Sequence, residues 1–154
     1  MVIVVCPLNS ISEENQRYTE GIIFQSGAED IINYPKLHSA NCTSKHQATN
    51  LWFKPMVRIL KNMWSTLVES GVIADKLAPS YFIEGMLYNV PTDKFGRTYV
   101  DTFCNCVNWL WETDRSVLRC ANGQYRLLGD SNIKWPSSKC DEFLRAIVNL
   151  WKDW

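Results

Sequence analysis

The chain of 154 residues lacks any long run of apolar residues, and its opposite charges are equal in number. Its longest apolar runs, such as residues 2–6, are far shorter than the roughly 20 residues that a membrane helix needs. No charged segment followed by an apolar one opens the chain. With 16 basic and 16 acidic residues, the overall charge favours neither nucleic acid nor a membrane as partner. We therefore expect a cytoplasmic protein without membrane contact, in which any basic site is local.

Paired cysteine motifs are also missing. The six cysteines form no Cys-x-x-Cys pair and no closely spaced framework, which predicts reduced and mostly buried thiols. A zinc site built from Cys104, Cys106, His38 and His46 would have a spacing that matches no common zinc motif. We therefore expect no metal to be bound by this chain.

Common catalytic motifs are absent as well. The chain has no Gly-x-Ser-x-Gly, Walker, Gly-x-Gly-x-x-Gly or His-Glu-x-x-His sequence. It also has no Asp-x-Asp pair, which on a strand would hold two divalent cations for phosphoryl transfer. His38 and His46 have a side chain whose ordinary pKa suits a general acid or base, and the alternative is a solvated or hydrogen-bonded loop histidine. No residue of the chain is predicted to be catalytic.

Three short apolar runs near the N-terminus predict strands, at residues 2–6, 21–24 and 30–34. The first run is β-branched and bounded by Pro7, which is typical of a strand buried on both faces. A turn is predicted at residues 26–29. Residues 8–20 and 35–50 are polar without a regular pattern and are predicted to be irregular.

Helical spacing of apolar residues begins at residue 51 and continues to residue 70, with Thr49 or Asn50 as the expected cap and Gly71 as the expected end. Further helices are predicted at residues 79–90 and 100–111, and from Ser137 or Ser138 to residue 151. The predicted fold class is α+β: a partial sheet with loops over residues 1–50, then a lobe of about four helices over residues 51–154.

Two groups of residues are candidates for binding. Lys54, Arg58 and Lys61 lie at i, i+4 and i+7 of the first predicted helix, so they share a stripe that suits phosphate or is simply a solvated face. Ser80 and Tyr81 open the next helix, where an anion is favoured, a hydroxyl can hold phosphate or sugar, and a tyrosine ring can stack on a base. The alternative for this pair is a capping serine and a core tyrosine.

Several separated blocks of sequence occur in an order that resembles a known family. They include Gly-Ile-Ile-Phe at residues 21–24, Lys-His-Gln-Ala-Thr at 45–49, Val-Arg-Ile-Leu-Lys-Asn at 57–62, Ala-Pro-Ser-Tyr-Phe at 78–82 and Leu-Tyr-Asn-Val-Pro at 87–91. Together they resemble the C-terminal half of bacterial CD-NTases, nucleotidyltransferases related to cyclic GMP-AMP synthase and oligoadenylate synthase. The resemblance covers nearly the whole chain, and the long helix followed by Pro-Ser-Tyr is its most specific part.

This resemblance implies a remnant of a palm sheet followed by a helical lobe that faces a nucleotide. It implies that Lys61 approaches the triphosphate of ATP or GTP, that Ser80 lies beside it and that Tyr81 stacks on a base. Lys54 and Arg58 are candidate nucleotide-binding residues through their spacing on the helix. The family's enzymes make nucleotide second messengers in antiviral defence, using a Gly-Ser motif and an Asp-x-Asp pair that bind magnesium.

Those catalytic motifs do not occur in this chain, and Val2 stands where a third catalytic aspartate is expected. Magnesium is therefore expected only in a full-length relative, and the chain alone is expected to be inactive. One alternative is a non-catalytic domain, derived from such an enzyme, that binds a nucleotide or a protein. An exposed sheet edge would allow pairing with a palm domain or with a second copy in a homodimer.

Overall fold

The computed structural model describes residues 2–7, 18–26 and 29–154. Within these ranges a three-stranded antiparallel sheet is formed by β1 (Val2–Pro7), β2 (Tyr18–Ser26) and β3 (Glu29–Asn33), in the order β1-β2-β3. The register places Val4 opposite Gly21 and Ile23 opposite Ile32. All three predicted strands are confirmed, although β2 begins earlier than predicted. Residues 8–17 and 27–28 and the side chains of β1 lie outside the described residues, as do the predictions made for them.

Five α-helices occur among the described residues: α1 (Pro35–Ala48), α2 (Phe53–Glu69), α3 (Ser80–Tyr88), α4 (Tyr99–Glu112) and α5 (Ser137–Lys152). The α+β class is confirmed, and α2 to α5 are the four helices that the sequence predicted. The segment between α4 and α5 folds back on itself, since Leu127 N–H donates to Leu118 and Trp135 N–H donates to Leu127. In the described ranges no helix has both the length and the apolar character needed to cross a bilayer.

Helix α1 lies where the sequence predicted an irregular segment, so that prediction was wrong. The reason is that α1 has no apolar stripe: Cys42 is its single buried residue. Polar side chains make its tertiary contacts instead, with Asn41 Nδ2 donating to Ala121 O at 2.8 Å and Lys45 Nζ donating to Val90 O at 2.5 Å. Pro35 in the first turn and basic residues in the last turn are the local features that favour this helix.

The hydrophobic core is centred on α2, which packs against α3 and α5. The apolar stripe predicted for α2 is buried as expected, with Phe53, Met56 and Leu60 each 1% exposed. Burying a side chain of this size stabilises the fold by about 1.5–3 kcal/mol relative to leaving it exposed. This burial fixes the rotation of α2 about its axis, so its basic residues face away from the core.

The sheet meets the helices at Tyr34, which is buried and stands at the start of α1. Its ring packs against Gly21 of β2, where an added Cβ would lie 3.0 Å from Tyr34 Cε1. The backbone N–H of Tyr34 donates to Asn33 Oδ1 at 2.8 Å. A side chain at position 21 would therefore crowd the Tyr34 ring, which would have to shift by a few tenths of an ångström to accept it.

The junction between α1 and α2 depends on Thr49, a buried residue. Its hydroxyl donates to Lys45 O at 2.9 Å and accepts from the N–H of Phe53, the first residue of α2, at 3.0 Å. The prediction that Thr49 or Asn50 is the N-cap of α2 was wrong, because Trp52 occupies that position. Thr49 nevertheless provides the acceptor for the first N–H of the helix. Asn50 and Leu51 reverse the chain direction with φ values of +49° and +70°.

Replacing Thr49 with valine is expected to lower the free energy of unfolding by about 1–2 kcal/mol, since the buried N–H of Phe53 loses its acceptor while the side-chain volume is kept. Urea unfolding measures this loss. Thr66→Val is the matched control, because the Thr66 hydroxyl is exposed and only donates to Asn62 O. Equal losses in the two variants would contradict a stabilising role of the hydrogen bond between Thr49 and Phe53.

Candidate functional site

A surface pocket of about 320 Å³ lies between α1, α2 and α3. Lys54, Arg58 and Lys61 of α2 all line it, so the three cations predicted to share a stripe are brought to one place. Lys54 and Arg58 are exposed, and the side chain of Lys61 is 32% exposed. Residues of α1 and the Glu84 side chain of α3 also line the pocket. The three cations therefore surround a concave surface instead of only facing solvent.

Glu84 of α3 forms hydrogen bonds to both α1 and α2 at this pocket. Its Oε1 accepts from Lys61 Nζ at 2.5 Å, and its Oε2 accepts from His38 Nε2 at 2.6 Å. The hydrogen bond from His38 and the neighbouring Lys61 lower the pKa of Glu84 to about 2 against the effect of burial, so the carboxylate is ionised. Contact with Cys42 and the bond to Glu84 raise the pKa of His38 to about 9, so its imidazole is protonated at neutral pH.

Tyr81 lies beside this group without lining the pocket itself. Its ring stacks on His38 with ring centres 4.9 Å apart and an angle of 21° between the planes. Its hydroxyl accepts from Nδ2 of the buried Asn122 at 2.9 Å, and burial, followed by the nearby Cys120, raises its pKa. Tyr81 is half-buried, with its ring held by His38 and its hydroxyl held by Asn122. The preceding Ser80 is the exposed first residue of α3 and lies outside the pocket lining.

His46, the second histidine considered as an acid or base, has a local role instead. Its Nδ1 accepts from the backbone N–H of Lys54 at 3.3 Å, within the first turn of α2. Burial, then the charges of Lys54 and Arg58, lower the pKa of His46, so it is neutral at neutral pH and able to accept. It does not line the pocket.

The cysteines and histidines are arranged differently from the zinc combination considered in the sequence. Cys104 and Cys106 lie on α4, and burial raises the pKa of Cys106 to about 12, which keeps it a thiol. Among the described residues, the group that comes within metal-binding reach is His38, Cys42 and Glu84, whose ligand atoms lie within 4.8 Å of one another. Glu84 is already paired with two cations there, so this corner of the pocket attracts anions more than metal ions.

Sequence reasoning did not single out Glu84 or Cys42, and it placed His38 in an irregular segment. Glu84 is the single charged residue in the nine residues of α3, three positions after Tyr81 and hence on the same helix face. An isolated carboxylate in an apolar helix is the signal that was available. His38 had no comparable signal, because α1 itself was not predicted.

Residues 40–152 match the family model of the cGAS/DncV-like nucleotidyltransferase C-terminal helical domain. The chain belongs to this family, which confirms the resemblance to CD-NTases. The cyclic UMP-AMP synthase of Rhodothermus marinus is 46% identical over 99% of the chain, and the cyclic nucleotide synthase CdnE01 of Staphylococcus haemolyticus is 38% identical over 93%. The chain covers 54% and 49% of these two proteins, so it spans about half the length of the relatives it matches.

Two solved structures have the same fold in their matching part. The Rhodothermus marinus CdnE c-UMP-AMP synthase with Apcpp and Upnpp gives a TM-score of 0.86 at 46% identity, over 96% of this chain and 50% of that one. The Elizabethkingia meningoseptica CdnE cyclic dinucleotide synthase with GTP and Apcpp gives 0.78 at 32% identity, over 88% and 51%. Both of those enzymes were solved with nucleoside triphosphates or their analogues.

Proposed function

We infer that this chain is the nucleotide-facing C-terminal part of a nucleotidyltransferase of the cyclic-oligonucleotide or oligoadenylate synthase type. Its α1–α2–α3 pocket would receive the triphosphate of ATP or GTP. The observation that carries this inference is the convergence of Lys54, Arg58 and Lys61 on one pocket, where Glu84 is the single carboxylate among the described lining residues. The family membership and the nucleotides named for the two similar structures support it.

The pocket's charge and size both suit a phosphate chain. The side chains of Lys54 and Arg58 are exposed, whereas Lys61 is held in place by Glu84. A volume of about 320 Å³ is at the lower end of small-molecule clefts, which suits part of a nucleotide better than a whole dinucleotide. Protonated His38 adds a further positive charge at the wall. The sum is a concave surface that attracts a polyanion.

Ser80 and Tyr81 would serve the sugar and the base. Ser80 is exposed at the N-terminus of α3, where backbone N–H groups and the helix dipole favour a phosphate or hydroxyl group. Tyr81 is half-buried, with His38 stacked on one side and its hydroxyl fixed by Asn122, so its ring orientation is set before a base arrives. Stacking on a pre-oriented ring costs little conformational entropy.

Catalysis would need the part of the enzyme that carries the carboxylates. Mg²⁺ prefers several oxygen ligands, whereas this pocket offers one carboxylate that is already paired with a lysine and a protonated histidine. The pocket's residues therefore do not fit Mg²⁺, and no step of the chemistry is assigned to the chain. We propose that it is inactive by itself and that magnesium is bound only in a full-length relative.

Family membership also supports proposals about the reaction product and the cellular compartment of the complete enzyme. We propose that the complete enzyme makes a nucleotide second messenger in antiviral defence, and that it acts in the cytoplasm. The five described cysteines are all free thiols, which is the state favoured in a reducing compartment. Within the described residues β1 pairs only with β2, so one edge of the sheet is available for a palm domain, or for a second copy in a homodimer.

Two measurements test this proposal. Isothermal titration calorimetry should show that the chain binds ATP or GTP more tightly than it binds the corresponding nucleoside, and that the difference shrinks at high salt. A fusion of the chain to the palm half of a relative should form oligonucleotide products from nucleoside triphosphates and Mg²⁺, whereas the chain alone should form none. Nucleotide binding without synthesis by the fusion would instead favour a non-catalytic nucleotide-binding domain, and no binding at all would overturn the proposal.

A further inference from the structure

Three helices meet in a single charged group at the pocket wall. His38 comes from α1, Lys61 from α2 and Glu84 from α3, and the two carboxylate oxygens of Glu84 each accept from one of the cations. The side chains of Glu84 and His38 are only 25% and 13% exposed, so water screens their interaction weakly. The carboxylate is therefore the shared partner of two cations that would otherwise repel each other.

The charged group formed by His38, Lys61 and Glu84 also contacts Tyr81, because the His38 ring stacks on the Tyr81 ring. His38 donates to Glu84 with Nε2 and stacks its ring on Tyr81, whose hydroxyl is held by Asn122. A continuous series of contacts thus runs from Lys61 through Glu84 and His38 to Tyr81. The series begins at Lys61, the proposed contact to the triphosphate, and ends at Tyr81, the proposed contact to the base.

The surrounding charges show what Glu84 contributes. The pocket is faced by His38 and Cys42 from α1, by Lys54, Arg58 and Lys61 from α2, and by Glu84 alone from α3. With Glu84 ionised, the Lys61, Glu84 and His38 group carries one net positive charge. Without that carboxylate, Lys61 would have no anionic partner among the described residues of the pocket, and His38 would lose the bond that fixes its ring against Tyr81.

We propose that Glu84 is a positioning residue that couples the phosphate-binding Lys61 to the base-facing Tyr81 through His38. This inference rests on the proposed nucleotide site and deepens it. Glu84 touches neither phosphate nor base. It orients the two side chains that do, so its loss should weaken both halves of nucleotide recognition, whereas loss of Lys61 should weaken only the phosphate half.

The contact network can be tested without any ligand by NMR titration of the histidine rings. The chain has two histidines, and a His46→Asn variant assigns their signals. The pKa of His38 should lie near 9 in the wild-type chain, where Cys42 and Glu84 both raise it, and should be lower in Glu84→Gln. A His38 pKa that is unchanged in Glu84→Gln would overturn the link between Glu84 and the ring.

The coupling itself is tested by titrating ATP and adenosine into the wild-type chain, Glu84→Gln and Lys61→Met. We expect Glu84→Gln to bind ATP about tenfold more weakly and adenosine measurably more weakly. Lys61→Met should lose affinity for ATP and keep its affinity for adenosine. The control is Glu142→Gln, an exposed carboxylate of α5 that should leave both affinities unchanged.

The outcomes separate this inference from the function on which it rests. Unchanged adenosine affinity in Glu84→Gln, or tighter ATP binding because a negative charge is gone, would overturn the role of Glu84 while leaving the nucleotide site intact. A wild-type chain that binds neither ligand would overturn the proposed function and the coupling together. In that case the histidine titration still reports whether the contact network exists.

Discussion

Replacing Lys61 with methionine is expected to weaken the binding of ATP to the chain by about 10- to 100-fold, because one hydrogen bond to a charged group contributes about 1.5–3 kcal/mol. The Lys61 side chain is 32% exposed, and its ammonium is held at the pocket by Glu84 at 2.5 Å. It therefore needs little further ordering before it contacts a phosphate. Methionine keeps most of the side-chain volume and removes the charge, and calorimetry measures the change.

The control for this variant is Lys139→Met, which removes an exposed lysine near the start of α5. The total charge changes by the same amount in both variants, so a general electrostatic effect would weaken binding equally. Affinity that falls to the same extent in Lys61→Met and Lys139→Met would contradict a specific phosphate contact. Unfolding in urea should differ little between Lys61→Met and the wild-type chain, since partly exposed ion pairs contribute at most about 1 kcal/mol.

Replacing Trp135 with alanine should be the most destabilising single change considered for this fold. Trp135 is fully buried, stacks on Phe82 with ring centres 5.6 Å apart, and packs against Phe143 of α5. Its Nε1–H donates to the carbonyl of Leu77 at 2.8 Å. Truncation to alanine costs about 3–5 kcal/mol for lost packing, and the orphaned Leu77 carbonyl adds about 1–3 kcal/mol.

This sum is comparable with the whole stability of a typical domain, about 5–15 kcal/mol, so much of the Trp135→Ala chain should be unfolded at 37 °C. Thermal unfolding followed by circular dichroism measures it. Trp154→Ala is the matched control, because Trp154 is 77% exposed and its loss should change stability by less than about 0.5 kcal/mol. A stable Trp135→Ala variant would contradict the packing of the 118–135 segment between α3 and α5.

The sequence predicted best those elements that bury an apolar stripe. Helix α2 has apolar residues at helical spacing and a polar opposite face, so its position, its buried face and its basic stripe were all readable. The same reasoning failed for α1, because this helix buries only Cys42 and is held through side chains such as Asn41 and Lys45. Their hydrogen-bond partners, Ala121 and Val90, are distant in the chain, so the sequence around α1 shows no local pattern that would predict the helix.

Only those residues of the candidate site that form a local helical pattern could be predicted. The positions of Lys54, Arg58 and Lys61 on one face follow from helical geometry alone. Glu84 and His38 meet only after α1 and α3 pack together, 46 residues apart in the chain, so no spacing rule could pair them. The roles of Ser80 and Tyr81 came from family resemblance and stay predictions.

We propose that nucleoside triphosphate binds between α1, α2 and α3. The most direct test is to titrate ATP into the ¹⁵N-labelled chain and to map the backbone amide shifts by NMR. We predict saturable shifts concentrated at Lys54, Arg58, Lys61 and the start of α3, and much smaller shifts in Lys61→Met at the same ATP concentration. Shifts centred on α4 and α5, or none that saturate, would contradict the account.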